Sequence, residues 1–342
     1  MKRLAIWLLL LGLLTMFSAC EEEQIITDNA QFLISELDIP ENTIWGNCYA
    51  MDSPVSIGNN HLAFLCLFHT QTGLYQRKRT SIAVGSIDLN GGDFQFIGPG
   101  ISCEELFYYW EGHRLDATPD GRYLLISGQG NSFTFIYLFD TTTGSLQEII
   151  PQEDRQIDND ACISPDGQWI AYTSQDGLWK MKIDGGEPIL LVATDFQTDY
   201  TYIDYPAWSP DGSQLAFVLC EPDEQEDSTN HTICTIPFNG GTYQRMVVGA
   251  IEPSWSPDSK SIAFVSDFAT WGDKAIYIAP VDGSSPTKIT YPPLADGYFD
   301  IPPNGDGVPC WSSDGQWIVF RSDVRQDPSG HTRPSLWKIN VN

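Results

Sequence analysis

A six-residue phrase, "AWSPDG" at Ala207–Gly212, has counterparts along most of this 342-residue chain. They are "DATPDGRYLLI", "CISPDGQWIAY", "SWSPDSKSIAF" and "CWSSDGQWIVF". The turn positions Gly121, Gly167, Gly212, Ser259 and Gly315 fall about 45 to 56 residues apart. A degenerate further copy, "PVSIGNNHLAFLCLF", puts Asn59 in the glycine position. A period of this length confines the chain to repeat architectures, in which each unit buries its apolar faces only against its neighbours.

Every unit reads alike. A short strand ends in an apolar residue (Val55, Ala117, Ile163, Trp208, Trp255 or Trp311) and meets the tight turn. Pro presets φ there, Asp bonds to nearby backbone, and Gly accepts a positive φ. A strongly apolar second strand follows, such as "LAFVLC" or "WIVFRS", as expected of a strand covered on both faces. A third strand leads in five units to a second turn of the Asn-Gly or Asp-Gly kind ("DLNGG", "IDGG", "FNGG"), and a more polar fourth strand ends the unit. Aromatics at 12% of the chain, eleven Trp among them, suit a large β core. The pattern predicts an all-β, six-bladed β-propeller of four-stranded blades. The last unit stops at its third strand, "SLWKINVN", so "AQFLISELD" (Ala30–Asp38) is expected to complete it and close the ring.

The phrase "WSPDG…LAF…IY…DGG" resembles the repeat of TolB, the periplasmic propeller of the Tol system, and of the propeller halves of prolyl oligopeptidase-like enzymes. The resemblance covers roughly residues 45–342 and implies the fold and a protein- or peptide-binding role. Ahead of it, Lys2 and Arg3 precede an apolar run, Leu4 to Phe17, too short for a comfortable membrane span. "FSAC" resembles the lipobox of bacterial lipoproteins, which implies cleavage before Cys20 and a lipid on its thiol. "EEE" at Glu21–Glu23 resembles the acidic tag of some surface lipoproteins of the Bacteroidetes group, with a solvated tether as the other reading. The expected organisation is a signal peptide over 1–19, an acidic tether over 20–29 and the propeller over 30–342. The expected location is the bacterial cell envelope, lipid-anchored at the outer membrane on its periplasmic or surface side.

A net charge of −27 repels nucleic acid and anionic membrane surfaces, so membrane contact is expected through the anchor alone. Export permits disulfides. Of the cysteines after Cys20, Cys220 and Cys234 flank one hairpin loop and are the pair proposed, while Cys66, Cys162 and Cys310 read as buried thiols.

Alternating strand direction puts the tight turns on one face and the long segments on the other, where binding is expected. The connections between blades ring the channel. Asp52, Arg114, Asp160, Tyr205, Glu252 and Val308 stand three residues before the apolar end of each first strand, with His113 and Asp204 one step earlier. This mixed polar ring reads either as a weak site for a small ligand or peptide end, or as the lining of a wet channel. "LFYYWEGHR" concentrates Tyr108, Tyr109 and Trp110, which suit an interface anchor or sugar stacking as well as a self-packed loop. Arg77 and Arg79, with Arg325 and Arg333, form a candidate basic patch opposite the acidic "EPDEQEDS".

No HExxH, P-loop, GxGxxG after a strand or GxSxG elbow occurs. The five histidines are scattered, so neither a metal site nor a cofactor is expected. "GHRLDATPDG" has a faint likeness to propeller lyases acting on uronides, "NGDG" reads as a plain turn before a calcium loop, and Asp160 with Glu252 is a conceivable glycosidase pair. The leading expectation is a monomeric, lipid-anchored envelope propeller that binds a protein or peptide without catalysis. The alternatives are a channel-mouth lyase or glycosidase and a surface glycan-binding lipoprotein.

Overall fold

The computed structural model describes residues 29–35, 47–58, 60–72, 77–98, 101–103, 114–129, 134–149, 157–184, 186, 188–223, 228–266, 274–293, 305–330 and 334–341. Their strands form six antiparallel sheets, one per repeat. Blade 1 holds β2 (Asn47–Ser56), β3 (His61–Thr72), β4 (Arg77–Asp88) and β5 (Gln95–Phe96), with β6 (Ile101–Cys103) further along β4. Blade 2 holds β7 (Arg114–Ala117), β8 (Tyr123–Gln129), β9 (Thr134–Asp140) and β10 (Ser145–Glu148). Blade 3 is β11 (Ile157–Ile163), β12 (Trp169–Ser174), β13 (Gly177–Lys182) and β14 (Ile189–Ala193). Blade 4 is β15 (Tyr202–Trp208), β16 (Gln214–Asp223), β17 (Ser228–Pro237) and β18 (Gln244–Val248). Blade 5 is β19 (Ala250–Trp255), β20 (Ser261–Ser266), β21 (Ile276–Pro280) and β22 (Thr287–Lys288). Blade 6 is β23 (Asp306–Trp311), β24 (Trp317–Ser322) and β25 (Ser335–Asn340), and β1 (Gln31–Ser35) pairs with β25 as its fourth strand. The expected fold and the expected closure are both present. A single turn of helix, α1 (Phe196–Asp199), is capped by Asp195, whose side chain accepts the amides of Gln197 and Thr198.

The repeated phrase builds the turn between first and second strands. In blade 4, Ser209 Oγ donates to Asp211 Oδ1 at 2.7 Å and accepts the Gln214 amide at 2.9 Å, while the Ser209 carbonyl accepts the Gly212 amide. The same bonds recur around Ser164, Ser256 and Ser312, with Thr118 taking the serine's place in blade 2. The last turn position needs a left-handed backbone: Gly212 has φ 72° and Ser259 φ 58°. In blade 1 Asn59 lies outside the described residues, Asn60 has φ 62°, and the turn is one residue shorter, since the Ile57 amide reaches the His61 carbonyl.

The second strands carry the core. Phe64, Phe217, Phe264 and Phe320 occupy equivalent positions and are at most 1% exposed. Each packs into a cluster shared with the preceding blade: Phe64 lies with Val319 and Leu336, Phe217 with Ala171 and Leu178, Phe264 with Val218 and Ile233. Full burial of such a side chain contributes about 1.5–3 kcal/mol, so cohesion sits between the blades. Two segments expected as long loops are long hairpins instead. Arg77 and Arg79 lie on β4 opposite Thr72 and Thr70, and the acidic stretch of blade 4 extends the ladder to the pair Asp223–Ser228. Glu221 in that stretch holds Arg245 through two bonds of 2.7 and 2.6 Å.

Cys220 and Cys234 are free thiols, which corrects the expected disulfide. Cys220 pairs across the ladder with His231, and Cys234 with Phe217. The two thiols belong to the cores on opposite faces of the sheet, so no local adjustment brings them together.

The closing strand buries Leu33 and Ile34 and sets Phe32 edge-on against Trp337 at 5.5 Å. Three apolar side chains at roughly 1.5–3 kcal/mol each make removal of residues 30–35 expensive. Such a deletion is expected to lower Tm by about 10 °C or more and to promote association through the exposed edge of β25. An unchanged Tm in a calorimetric comparison would contradict the closure.

Candidate binding site in the central channel

The first strands of the six blades contact one another in sequence around the axis and leave one edge without a strand partner. Amides on that edge must find other acceptors. Four of these strands bend at the same point. Ser53, Tyr205, Glu252 and Val308 have φ between 49° and 55°, and each is followed by Pro54, Pro206, Pro253 or Pro309. The ladder register slips at each bend, between Asp52 and Val55, Asp204 and Ala207, Ile251 and Ser254, and Gly307 and Cys310. A β-branched residue such as Val308 in the left-handed region carries a cost of about 1–3 kcal/mol, and the surrounding ring has to hold it there.

At two of the four bends side chains of the preceding blade do so. Asp160 Oδ2 accepts the Tyr205 amide at 2.9 Å, and Glu252 Oε2 accepts the Val308 amide at 2.6 Å. Two turns of the ladder closer to the tight turns, Asp116 Oδ2 accepts the Ile163 amide at 2.8 Å. The Cys310 thiol donates to the Trp311 carbonyl of its own strand. Between blades 4 and 5, Trp255 Nε1 donates to the Ala207 carbonyl at 3.1 Å. Trp208 and Trp311 stand at the same position with buried Nε1 atoms that have no partner.

Ion pairs complete the ring. Arg114 Nε lies 2.9 Å from Asp160 Oδ1, and its guanidinium sits 4.0 Å over the Tyr205 ring. Burial works against the charge on Arg114, but Asp160, Tyr205, Glu252 and Asp52 outweigh it and raise its pKa. On the far side, Arg321 donates to both oxygens of Asp323 at 3.0 and 2.9 Å and to Asp52 Oδ2 at 3.1 Å, while Asp52 Oδ1 accepts the Ser53 amide.

Between this ring and the tight turns lies a cavity of about 420 Å³. Its walls are Pro54, Pro206, Pro253 and Pro309 from the bends, Trp208, Trp255 and Trp311, and the turn prolines Pro119, Pro165, Pro210 and Pro257. Arg114, Asp116, Cys162 and Cys310 are the ionisable side chains among its lining residues. Burial pushes the Asp116 carboxyl up to about 6 and the Cys310 thiol to about 12, and raises Cys162 likewise.

The structure thus brings together Arg114, Asp160, Tyr205 and Glu252 of the expected ring, with Asp52 joined through Arg321. In blade 1 the ring position by backbone conformation is Ser53, and Asp52 is one step earlier, level with Asp204 opposite Val218. Arg321, Asp323 and Asp116 were not expected. The signal for Arg321 was a charge inside "WIVFRS", where the matching runs "LAFLCLF", "YLLIS", "WIAYTS", "LAFVLC" and "IAFVS" are uncharged. Arg325 is not part of a surface patch: it is buried, bonded to Asp306 at 3.1 and 2.7 Å. Tyr108, Tyr109, Trp110, His113, Arg333 and Cys20 lie outside the described residues, as do the side chains of Arg77 and Arg79. Among the described residues, no group of three or more His, Cys, Asp and Glu is placed to hold a metal ion, and no helix is long and apolar enough to cross a membrane.

No family model matches the chain. It is similar to an uncharacterized protein of Agrobacterium fabrum, 29% identical over 130 residues, which are 36% of this chain and 40% of that protein. Among solved structures, an oligogalacturonate lyase from Vibrio parahaemolyticus superposes with a TM-score of 0.52 at 14% identity, over 93% of this chain and 98% of that one. The chain folds as a six-bladed β-propeller. A putative TolB from Agrobacterium tumefaciens is similar to the propeller at 22% identity and a TM-score of 0.49, covering 73% of this chain and 94% of that one.

The Arg114–Asp160 pair tests how the ring is held. Asp160 is 5% exposed and anchors the Tyr205 amide, so Arg114→Met leaves a buried carboxylate without its cation. The expected loss is about 3 kcal/mol, and Arg114→Met with Asp160→Asn should cost less than the two single changes added together. Chemical denaturation of the three variants measures this, and strict additivity would show that the pair is not coupled.

Proposed function

We propose that this chain is a lipid-anchored propeller of the bacterial envelope that binds a peptide segment of a partner in its central channel, without catalysis. One observation carries the reading. All six first strands contribute to a single cavity walled by prolines and tryptophans, and the charged groups at its base are engaged with one another and with strand amides. Carboxylates held this way serve as structural acceptors, and a proline- and tryptophan-walled pocket suits an extended apolar peptide. The lipobox-like "FSAC" supports the anchor. The likeness to the lyase is one of fold and brings no catalytic residue to this chain.

Ser313 is exposed, lies beside the cavity and belongs to the turn of blade 6. Ser313→Trp is expected to plug the cavity while leaving Tm within about 2 °C, since surface changes usually shift stability by less than about 0.5 kcal/mol. Affinity for partner peptides recovered from envelope extracts should fall at least about tenfold in this variant, measured by tryptophan fluorescence or calorimetry. Undiminished binding would place the site elsewhere on the ring.

A further inference from the structure

Resting on the channel reading above, we infer that the cavity is a site for an ammonium group, which seats on Asp116 while the apolar body of the ligand lies against the proline and tryptophan walls. The cavity's charges are unbalanced in one direction. Arg114 is taken up by Asp160 and the face of Tyr205. The two thiols facing Asp116, Cys162 on β11 and Cys310 on β23, are kept neutral by burial. That leaves Asp116 as the cavity's one carboxylate. Its Oδ2 accepts the Ile163 amide. A carboxylate offers about four acceptor positions, so capacity remains for a cation's N–H groups.

The electrostatics favour a cation over a neutral or anionic ligand. Burial makes the ionised form of Asp116 unfavourable, and Arg114, two residues away on β7, only partly offsets this. An ammonium brought against the carboxylate removes that penalty, whereas an anion adds to it. Trp208 and Trp255 in the walls supply aromatic surface, which attracts cations and accommodates apolar side chains alike. The strongly acidic protein also steers cations toward it. A free peptide N-terminus carries both parts of such a ligand, the ammonium and an apolar body.

The sign of the pH dependence follows. Asp116 titrates near 6, above the ordinary range, so the ionised form that binds a cation is depleted as pH falls through 6. Affinity for an ammonium ligand should drop about tenfold between pH 7 and pH 5, with proton release on binding at the lower pH.

The test uses the full chain and two probes of the same body, trialanine amide with a free N-terminus and its N-acetyl derivative, by calorimetry at pH 7 and pH 5. The free peptide is expected to bind at least about tenfold more tightly than the acetylated one at pH 7. The difference should vanish in Asp116→Asn, which keeps an acceptor for the Ile163 amide, and Ser313→Trp should abolish binding of both. Equal affinity of the two peptides, still blocked by Ser313→Trp, overturns the ammonium assignment and leaves the channel reading intact. Failure of both peptides to bind, or binding indifferent to Ser313→Trp, overturns the assignment together with the channel site for such peptides.

Discussion

The structure depends on how the open edge of each first strand is satisfied. A blade pairs its first strand on one side only, and the other edge faces the axis, where neighbouring first strands form no ladder. Buried amides left without acceptors there would cost about 1–3 kcal/mol each. Acceptors from the preceding blade meet three of them: Asp160 for Tyr205, Glu252 for Val308 and Asp116 for Ile163. The polar residues of the channel are therefore joints between blades first, and only Asp116 also presents a carboxylate to the cavity.

The same joints explain the strain. Ser53, Tyr205, Glu252 and Val308 adopt a conformation unfavourable to L-residues, at the point where each strand slips register. The bends turn the Tyr205 and Val308 amides toward Asp160 and Glu252 of the preceding blade, and each of the four sets the proline that follows into the cavity wall. Strain at these positions is thus coupled to the shape of the cavity, and the apolar clusters between blades supply the cohesion that sustains it.

The fold was legible because its signal is repeated. "SPDG" and its variants needed only Ser, Asp and a residue tolerant of positive φ, and six noisy copies reinforce one another. Closure by β1 was legible from a missing fourth strand. The ring of Arg114, Asp160, Tyr205 and Glu252 was found by counting back from the turn, but the count slipped by one in blade 1, where the shorter turn moved the ring position from Asp52 to Ser53. The Cys220–Cys234 pair misled because proximity in sequence says nothing about which face of a strand a side chain occupies until the register is known, and the register puts the two thiols on opposite faces. Arg325 misled because it lies in the bend after β24, where its guanidinium meets the buried Asp306 rather than the surface. The proline after each bend was visible in the sequence, yet its meaning required the positive φ before it.

The claim that acceptors from one blade hold the next is tested most directly by amide hydrogen exchange in Glu252→Ala. This change removes the acceptor of the Val308 amide and leaves the Ile276 amide of blade 5 bonded to Thr290 Oγ1 at 2.9 Å. The account predicts that protection at Val308 falls by about tenfold or more while Ile276 is unaffected, a local opening and not global destabilisation. Equal protection of Val308 in the wild-type protein and the variant would contradict it.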